Sequence, residues 1–414
     1  MMKKCLLLLP FFSLFTACSK TDEPSGGKVE NAPLTVMAYF VADANGIEDD
    51  IYTNVAAMYD GLALMKKPAT LLVYWDGSGS YGNWDYPVVL RYKTDGKGNI
   101  NGQKQLPEEA TVDDVVDLAE VVKEYPSQLS TNKSVMTQVL KDMITLSPTE
   151  KVGVVAASHA SAWTNSIFMS RSFGQDGKGT DNTILIDDMA DAMKQTGKKY
   201  EFLLFDACFM GTVEVCYSFR DVANYQIVSV MEVPAYGFPY ENALDGLYEG
   251  TVDGYKKICK AYTDFYEERL ASGYYSWGTI SLVDSKEVQG LTDALKAEIV
   301  EHKDVLGDYF EADNIQEYGR QGAYGIAYDL GQTVEVLNDG VMPKAFADQL
   351  DKTVLYKGCL EKTNPSNYKV DAANYCGLGV YIPMPGYSKW NKFFKTLDWY
   401  TVAGWNEVTF SWDF

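Results

Sequence analysis

Two chemically useful side chains, His159 and Cys208, each follow an apolar run of the sequence. His159 is one of two histidines in 414 residues; it comes after "KVGVVAAS", and Cys208 comes after "YEFLLFDA". A histidine can take the proton of a thiol, and the resulting thiolate is a strong nucleophile towards a carbonyl carbon. The pair predicts covalent acyl-transfer chemistry if the fold brings the two side chains together.

The sequence around and between His159 and Cys208 predicts the strands and the helix that would bring the two side chains together. Both apolar runs are short and continuous, as in strands buried on both faces of a sheet. Between them, "DDMADAMKQTG" (187–197) is typical of a helix. Parallel strands joined by a helix present their carboxyl ends at one edge, where α/β proteins bind ligands. His159 and Cys208 are predicted to share that edge, and the "VEVCYSF" helix after Cys208 favours a thiolate.

The rest of the chain continues this alternation of strands and helices. Apolar residues at helical spacing predict a helix in "NKSVMTQVLKDMITL", and Pro87 indicates an edge position for a strand at 86–96. The other predicted strands are 33–43, 69–77, 225–231, 277–284 and 376–383. The pattern predicts an α/β fold with a mainly parallel sheet flanked by helices, and additional C-terminal α/β elements.

The N-terminus has the pattern of an export signal. Two lysines precede an apolar stretch, Leu6 to Phe15, that is too short to span a membrane. "LFTAC" resembles a bacterial lipobox, which predicts lipidation of Cys18 and anchoring in the cell envelope, at the outer membrane; a plain signal peptide is the alternative. The predicted divisions are a signal peptide (1–17), a flexible tether (18–32), a catalytic core (33–240) and a C-terminal region that extends or packs on the core (241–414).

The net charge argues against some kinds of partner, and the cysteine content indicates a free thiol. The net charge of −21 argues against nucleic acid as a partner, and against membrane contact other than through the anchor at Cys18. No Gly-rich phosphate loop of the Lys-Ser/Thr kind is present. Beyond the signal, the cysteines are odd in number, so at least one thiol stays free. They are Cys208, Cys216, Cys259, Cys359 and Cys376.

"LLFDACFMG", with "VVAASHASAW" upstream, resembles the clostripain family of cysteine peptidases, and the similarity extends over most of residues 33 to 385. The resemblance implies a caspase-like fold and peptide or protein substrates. It implies Cys208 as the nucleophile and His159 as the general base. The backbone N–H groups of Cys208 and Ala160 would hold the oxyanion. Asp206 would bind a basic side chain at P1, the residue before the scissile bond; an acid that caps the strand end or the turn is the alternative for this position.

Two further expectations follow from this resemblance. Family members tend to cleave themselves between the histidine and the cysteine, and Arg171 and Lys178 are the candidate sites here. Calcium dependence occurs in the family, and oxygen ligands are available at Asp176, Asp181, Asp187 and Asp188. Their spacing is not that of an EF-hand, so a solvated acidic loop and no cofactor are predicted.

The sequence departs from the family pattern in two places. The glycines that usually flank the histidine are Ala160 and Ala162, and a positive φ at position 160 would strain an alanine there. In a later block, Val230 and Tyr236 stand where the family has acids, which weakens an inference of strict Arg or Lys preference. Two hypotheses remain: a cysteine endopeptidase that cleaves after basic residues, and a catalytically inactive surface lipoprotein that binds peptide or glycan.

Overall fold

The computed structural model describes residues 31–44, 46–79, 84, 87–105, 112–164, 173–177, 182–308, 310, 312–319 and 325–414. The proposed lipidation site, Cys18, and the proposed self-cleavage sites, Arg171 and Lys178, lie outside the described residues, as does Asp181. Among the helices of the described residues, none has both the length and the apolar character needed to cross a bilayer.

The strands are β1 (Leu34–Val41), β2 (Ala69–Asp76), β3 (Val88–Thr94), β4 (Asn99–Ile100), β5 (Gln103–Lys104), β6 (Glu120–Glu124), β7 (Lys151–Ala157), β8 (Tyr200–Asp206), β9 (Ala223–Val228), β10 (Thr279–Asp284), β11 (Tyr328–Asp329), β12 (Val354–Cys359) and β13 (Gly379–Val380). The helices are α1 (Glu48–Leu64), α2 (Val112–Asp117), α3 (Lys133–Leu146), α4 (Ile186–Lys194), α5 (Val213–Phe219), α6 (Tyr240–Glu249), α7 (Val252–Ala271), α8 (Val288–Glu301), α9 (Lys303–Gly307), α10 (Leu330–Leu337), α11 (Lys344–Thr353), α12 (Ser388–Phe394) and α13 (Asp398–Val402). Short 3-10 turns lie at Ser285–Glu287, Ser366–Tyr368, Ala372–Asn374 and Trp405–Glu407.

Most strands belong to one mixed sheet with the order β12–β10–β9–β8–β7–β1–β2–β3–β4–β5, in which β6 also pairs with β3. The central block from β9 to β2 is parallel, and the strands outside it are antiparallel to their neighbours. The predicted α/β class, with a parallel central block, is confirmed. β10 and β12, which come after residue 240, extend this sheet, whereas β11 and β13 pair with each other.

The central strands form where the sequence is continuously apolar, because helices cover both faces of the sheet. Every residue of β1 and of β2 is buried. Alternate residues of β1 pack into two separate core clusters, one with α3, α4, α5 and α8 and the other with α1, α6 and α7. The sheet therefore lies between two helical layers. Because helices cover both of its faces, a functional site is expected at its edges.

The prediction of an edge strand after Pro87 is wrong. β3 pairs with β2 on one side and with β4 and β6 on the other. Pro87 precedes the strand, where its missing N–H interrupts no ladder, and its carbonyl accepts a hydrogen bond from the N–H of Tyr125 at 2.9 Å.

Candidate active site

The two predicted catalytic side chains follow neighbouring strands at the same level of the sheet. β7 and β8 are parallel, and their ladder ends with Ala157 paired to Asp206. His159 and Cys208 each lie two residues beyond this pair. Neighbouring strands in a sheet lie about 4.8 Å apart. Both residues are half-buried. The register therefore delivers an imidazole and a thiol to one edge of the sheet.

The turn after Cys208 is held in an unusual backbone conformation. Phe209 has a φ of 61°, which is rare for a residue with a side chain, and it is fully buried. The N–H of Gly211 donates to the carbonyl of Ser229 at 2.7 Å. A Cβ atom at Gly211 would lie 2.6 Å from the nitrogen of Val230, so only glycine permits this close approach. The strained residue and the close contact fix the thiol on a rigid turn.

Glu232 lies beside this turn, and the sequence motifs did not single it out. Its carbonyl accepts a hydrogen bond from Trp277 Nε1 at 3.1 Å, and its Oε1 accepts one from the hydroxyl of Tyr368 at 3.5 Å. A Cβ atom at Gly319 would lie within 3.0 Å of both Glu232 Oε2 and the ring of Phe209. The carboxylate therefore adjoins Phe209, the residue that follows Cys208. The signal in the sequence was an acid inside the "MEVPAYG" block.

The backbone on either side of His159 is anchored by hydrogen bonds. The hydroxyl of Ser158 donates to the carbonyl of Val41 at 2.9 Å. The carbonyl of His159 accepts from the N–H of Gly174 at 2.8 Å. Because Val41 ends β1, the position of the histidine is set from the neighbouring strand as well as its own.

The strained alanine of the histidine loop is Ala162, not Ala160. Ala162 has a φ of 55° and is fully buried, whereas Ala160 is not among the described non-glycine residues of positive φ. The strain expected for a positive φ at position 160 therefore does not arise. Alanine in the left-handed region costs on the order of 1 kcal/mol, which a well-packed loop can tolerate. Among the described residues, no backbone acceptor is recorded for the N–H of Ala160.

Asp206 is buried beneath the turn that follows Val233. Its Oδ2 accepts hydrogen bonds from Asn54 Nδ2 at 3.1 Å and from the hydroxyl of Tyr240 at 3.0 Å. Burial raises the pKa of this carboxyl to about 7, and hydrogen bonds from the Tyr240 hydroxyl and the Phe238 N–H oppose the rise. Asp206 therefore fixes the turn beside the thiol.

The other cysteines lack the properties of a nucleophile. Burial raises the thiol pKa of Cys216, Cys259 and Cys376 far above the ordinary value. Burial, followed by repulsion from Glu361, raises the pKa of Cys359 to about 11. At neutral pH these four groups are thiols rather than thiolates, and the described cysteines form no disulfide.

The candidate calcium ligands that the structure describes are engaged in separate contacts. Asp188 forms an ion pair with Lys133 at 3.0 Å, and a serine hydroxyl of α5 donates to Asp187 at 2.6 Å. Asp176 accepts a hydrogen bond from the N–H of Ser130 at 2.5 Å. These contacts account for the three acids as parts of the protein's own hydrogen-bond network.

The second histidine, His302, follows α8, away from the carboxyl ends of β7 and β8. Its Nε2 lies 3.3 Å from the Oδ1 of Asn338. Together with Glu298 and Glu301, it offers ligand atoms that all lie within 4.8 Å of one another. His302 belongs to a separate cluster and does not take part in the pair with Cys208.

Buried carboxyl groups cluster at the carboxyl ends of β1 and β2. The hydroxyl of Ser130 donates to Asp76, and Asp43 and Asp176 lie close enough to repel it. Burial, reinforced by repulsion from Asp176 and Asp43, raises the pKa of Asp76 to about 7. Burial also raises the pKa of Asp176. Asp76 and Asp176 therefore bind their protons more tightly in the folded protein than in the unfolded chain.

The raised pKa values predict that the free energy of unfolding falls as the pH rises. Asp76, Asp206 and Glu214 have folded-state pKa values of about 7, against ordinary values near 4. Their stabilising effect is complete below about pH 4 and is lost as the pH rises through about 7. We expect a higher Tm at pH 5.5 than at pH 8, and a smaller difference in Asp76→Asn. Circular dichroism checks this, with the exposed Asp245→Asn as the control; a Tm that does not fall between the two pH values would contradict it.

A thiol and an imidazole follow matched ends of neighbouring parallel strands within a caspase-like α/β sheet, which is an arrangement compatible with nucleophilic catalysis by a thiol. A sequence model of the clostripain family matches residues 38–412. The chain belongs to this family of cysteine peptidases, whose substrates are peptides or proteins.

Solved structures with similar folds include two that cover nearly the whole described chain. One is an inactive zymogen C11 protease from Parabacteroides distasonis, with 23% identity, a TM-score of 0.70 and coverage of 90% of this chain and 99% of that one. The other is a secreted C11 cysteine protease from Bacteroides thetaiotaomicron in complex with an irreversible peptide inhibitor, with the same four values. A B. fragilis cysteine protease shares 27% identity, with a TM-score of 0.51 and coverage of 57% and 98%. No curated protein sequence matches the chain.

Proposed function

We propose that this chain is an endopeptidase that cleaves after arginine or lysine through a dyad of Cys208 and His159. The observation that carries the proposal is the β7–β8 register, in which Ala157 pairs with Asp206. Because both side chains stand two residues past this pair, the base and the nucleophile arise from rigid neighbouring strands. The other described thiols have raised pKa values, which leaves Cys208 as the thiol for the reaction.

The reaction proceeds by acyl transfer. His159 takes the thiol proton as the sulfur of Cys208 bonds to the scissile carbonyl carbon, and negative charge develops on the carbonyl oxygen. The N–H groups of Ala160 and Cys208 donate to that oxygen. The intermediate collapses when the C–N bond breaks, and His159 gives its proton to the leaving amine. Water, deprotonated by the same imidazole, then hydrolyses the thioester and regenerates the thiol.

A preference for a basic P1 residue requires an acid close to the thiol. Glu232 directly precedes Val233, whose carbonyl oxygen lies 3.9 Å from Cys208 Sγ. The family resemblance implies Asp206 as the P1 contact, but its Oδ2 already accepts two hydrogen bonds within the fold. We therefore propose that Glu232 contacts the P1 cation and that Asp206 supports the adjoining turn from beneath. A buried or half-buried carboxylate paired with a cation of the substrate contributes about 1.5–3 kcal/mol, enough for roughly 10- to 100-fold discrimination.

Self-processing between His159 and Cys208 is part of the same proposal, with Arg171 and Lys178 as the cleaved residues. The described residues on either side of these positions are tied to the core. The carbonyl of Asp43 accepts the N–H of Gly177 at 2.7 Å, and Phe173 and Ile184 exchange backbone hydrogen bonds at 3.0 Å. Cleavage between such anchors leaves both new ends attached to the fold.

The test is turnover of a peptide library in which only the P1 residue varies, together with mass mapping of the incubated protein. We expect cleavage after Arg and Lys, and a break after Arg171 or Lys178 that appears with time. Glu232→Gln should lose the preference for Lys over norleucine, whereas Asp206→Asn should weaken cleavage of both peptides. Peptide or glycan binding without any turnover, unchanged by His159→Ala, would support the inactive surface lipoprotein instead.

We also propose that the protein is exported and anchored in the outer membrane through lipid on Cys18. The support is the "LFTAC" pattern of the sequence, together with the similar C11 protease of Bacteroides thetaiotaomicron, which is a secreted protein. Fractionation of cells checks the anchor, because Cys18→Ser should move the protein out of the membrane fraction.

A further inference from the structure

Arg269 differs from the other arginines that the structure describes. Arg91 has a carboxylate oxygen of Glu120 at 2.5 Å, and Arg220 has one of Asp221 at 3.7 Å. No described carboxylate lies within 4.0 Å of Arg269. In a chain with a net charge of −21, a guanidinium without an acidic partner is unexpected.

Aromatic rings hold the guanidinium of Arg269 in place. Its central carbon lies 3.6 Å from the centre of the Tyr236 ring, 4.8 Å from that of Tyr274 and 5.5 Å from that of Phe265. The Nε atom is buried and has no acceptor among the described residues. Because the rings cover the flat faces of the group, its N–H edge is the part left to bind an acceptor.

A short turn joins this arginine to the catalytic thiol. The carbonyl of Val233 lies 3.9 Å from Cys208 Sγ, and Tyr236 comes three residues after Val233. The N–H of Gly237 donates to the carbonyl of Pro234 at 2.9 Å, which closes the turn. Three residues span at most about 11 Å when extended and less in a turn. Arg269 therefore packs, through Tyr236, on the turn whose first residue lies beside the thiol.

The surface around Arg269 is exposed and aromatic. Tyr236, Tyr274 and Tyr275 expose 49%, 57% and 69% of their surface. Large apolar side chains that are exposed together mark a surface that contacts a partner. Here the partner adjacent to the thiol is the peptide substrate.

We propose that Arg269, clamped by Tyr236 and Tyr274, binds an aspartate or glutamate side chain of the substrate within a few residues of the scissile bond. This proposal deepens the proposed function and rests on it. The guanidinium donates two parallel hydrogen bonds to a carboxylate, a geometry that discriminates against an amide of the same shape. Arg269 also offsets locally the repulsion between an acidic peptide and an acidic protein.

A purely structural role for Arg269 predicts different results. Arg269 lies in the last turn of α7, where a cation favours the helix dipole, and its stacking packs Tyr236. Loss of either effect lowers the stability of the protein, and it affects the cleavage of every substrate alike. Only a carboxylate site makes the protein distinguish glutamate from glutamine in otherwise identical peptides.

The experiment compares peptides with lysine at P1 and either glutamate or glutamine at one position, which is moved through the three residues before P1 and the three residues after the scissile bond. We expect kcat/KM to favour glutamate by about fivefold at one position, and the ratio to fall at high salt. In Arg269→Gln the ratio should fall to about one, and in Arg269→Glu it should invert. Arg220→Gln, which removes a paired arginine, should keep the wild-type ratio.

Binding measurements separate this proposal from the proposed function. Fluorescence anisotropy with Cys208→Ala and the same labelled peptides should show the same preference in Kd, and adding Arg269→Gln should abolish it. Peptides that bind with this preference but are never cut would overturn the endopeptidase and leave the carboxylate site standing. Ratios near one at every position in both assays, or a preference that survives in Arg269→Gln, would overturn the site.

Discussion

Replacing Cys208 with alanine is expected to lower kcat/KM for a lysine-containing peptide by a factor of about 10⁴ or more. The methyl group cannot form the acyl-enzyme, so only substrate positioning and the oxyanion donors remain. The substitution removes one half-buried sulfur atom at the sheet edge, and we expect Tm to change little. The measurement is initial cleavage rates at substrate concentrations well below KM, together with thermal unfolding of both proteins.

Cys359→Ala is the matched control for this prediction. Cys359 is also half-buried, but burial raises its thiol pKa to about 11, so it is protonated at neutral pH. Iodoacetamide at pH 7 should therefore label wild type and Cys359→Ala at Cys208, and should inactivate both. Full activity in Cys208→Ala would eliminate the proposed mechanism.

Replacing His159 with glutamine is expected to lower kcat/KM by roughly 10³-fold or more, because the thiol then has no base. Glutamine keeps hydrogen-bonding capacity and similar length, and the backbone contact from Gly174 N–H to the carbonyl at position 159 does not involve the side chain. The loss should therefore fall on the chemical step. Rates measured from pH 5 to 10 check this, since the part of the wild-type pH profile that depends on the imidazole should disappear in the variant.

The second histidine supplies the control. His302→Gln removes the only other imidazole of the chain, at a site where Nε2 contacts Asn338. We expect its activity and pH profile to match wild type. A His159→Gln variant with a wild-type pH profile, or an equal loss in His302→Gln, would show that the base has been assigned to the wrong residue.

The two departures from the family pattern around the histidine have different consequences in the structure. Ala160 is not among the described non-glycine residues of positive φ, so an alanine there carries no strain of that kind. Ala162 takes the left-handed conformation, and its burial shows that surrounding packing holds it there. The backbone strain of this loop therefore lies at Ala162 and not at Ala160, whose N–H is the proposed oxyanion donor.

Local sequence was enough to predict the elements of the central sheet. Continuous apolar runs at 151–158 and 200–207 correspond to β7 (Lys151–Ala157) and β8 (Tyr200–Asp206). Strands covered on both faces must be apolar at every position, and this constraint is visible without knowledge of the fold. The helix between them, and the order strand–helix–strand, then imply two parallel neighbours with His159 and Cys208 at their carboxyl ends.

Other features of the site depend on contacts between segments that lie far apart in the sequence. The sequence by itself determined the α/β class and the family motif and pointed to the two residues proposed as the dyad, because each follows from a short local pattern. Only the tertiary structure decided that Asp206 supports a turn through Asn54 and Tyr240, that Glu232 adjoins Phe209, and that Arg269 lies between tyrosines. The physical reason is that burial, backbone strain and charge pairing arise from packing between elements, which no local periodicity encodes.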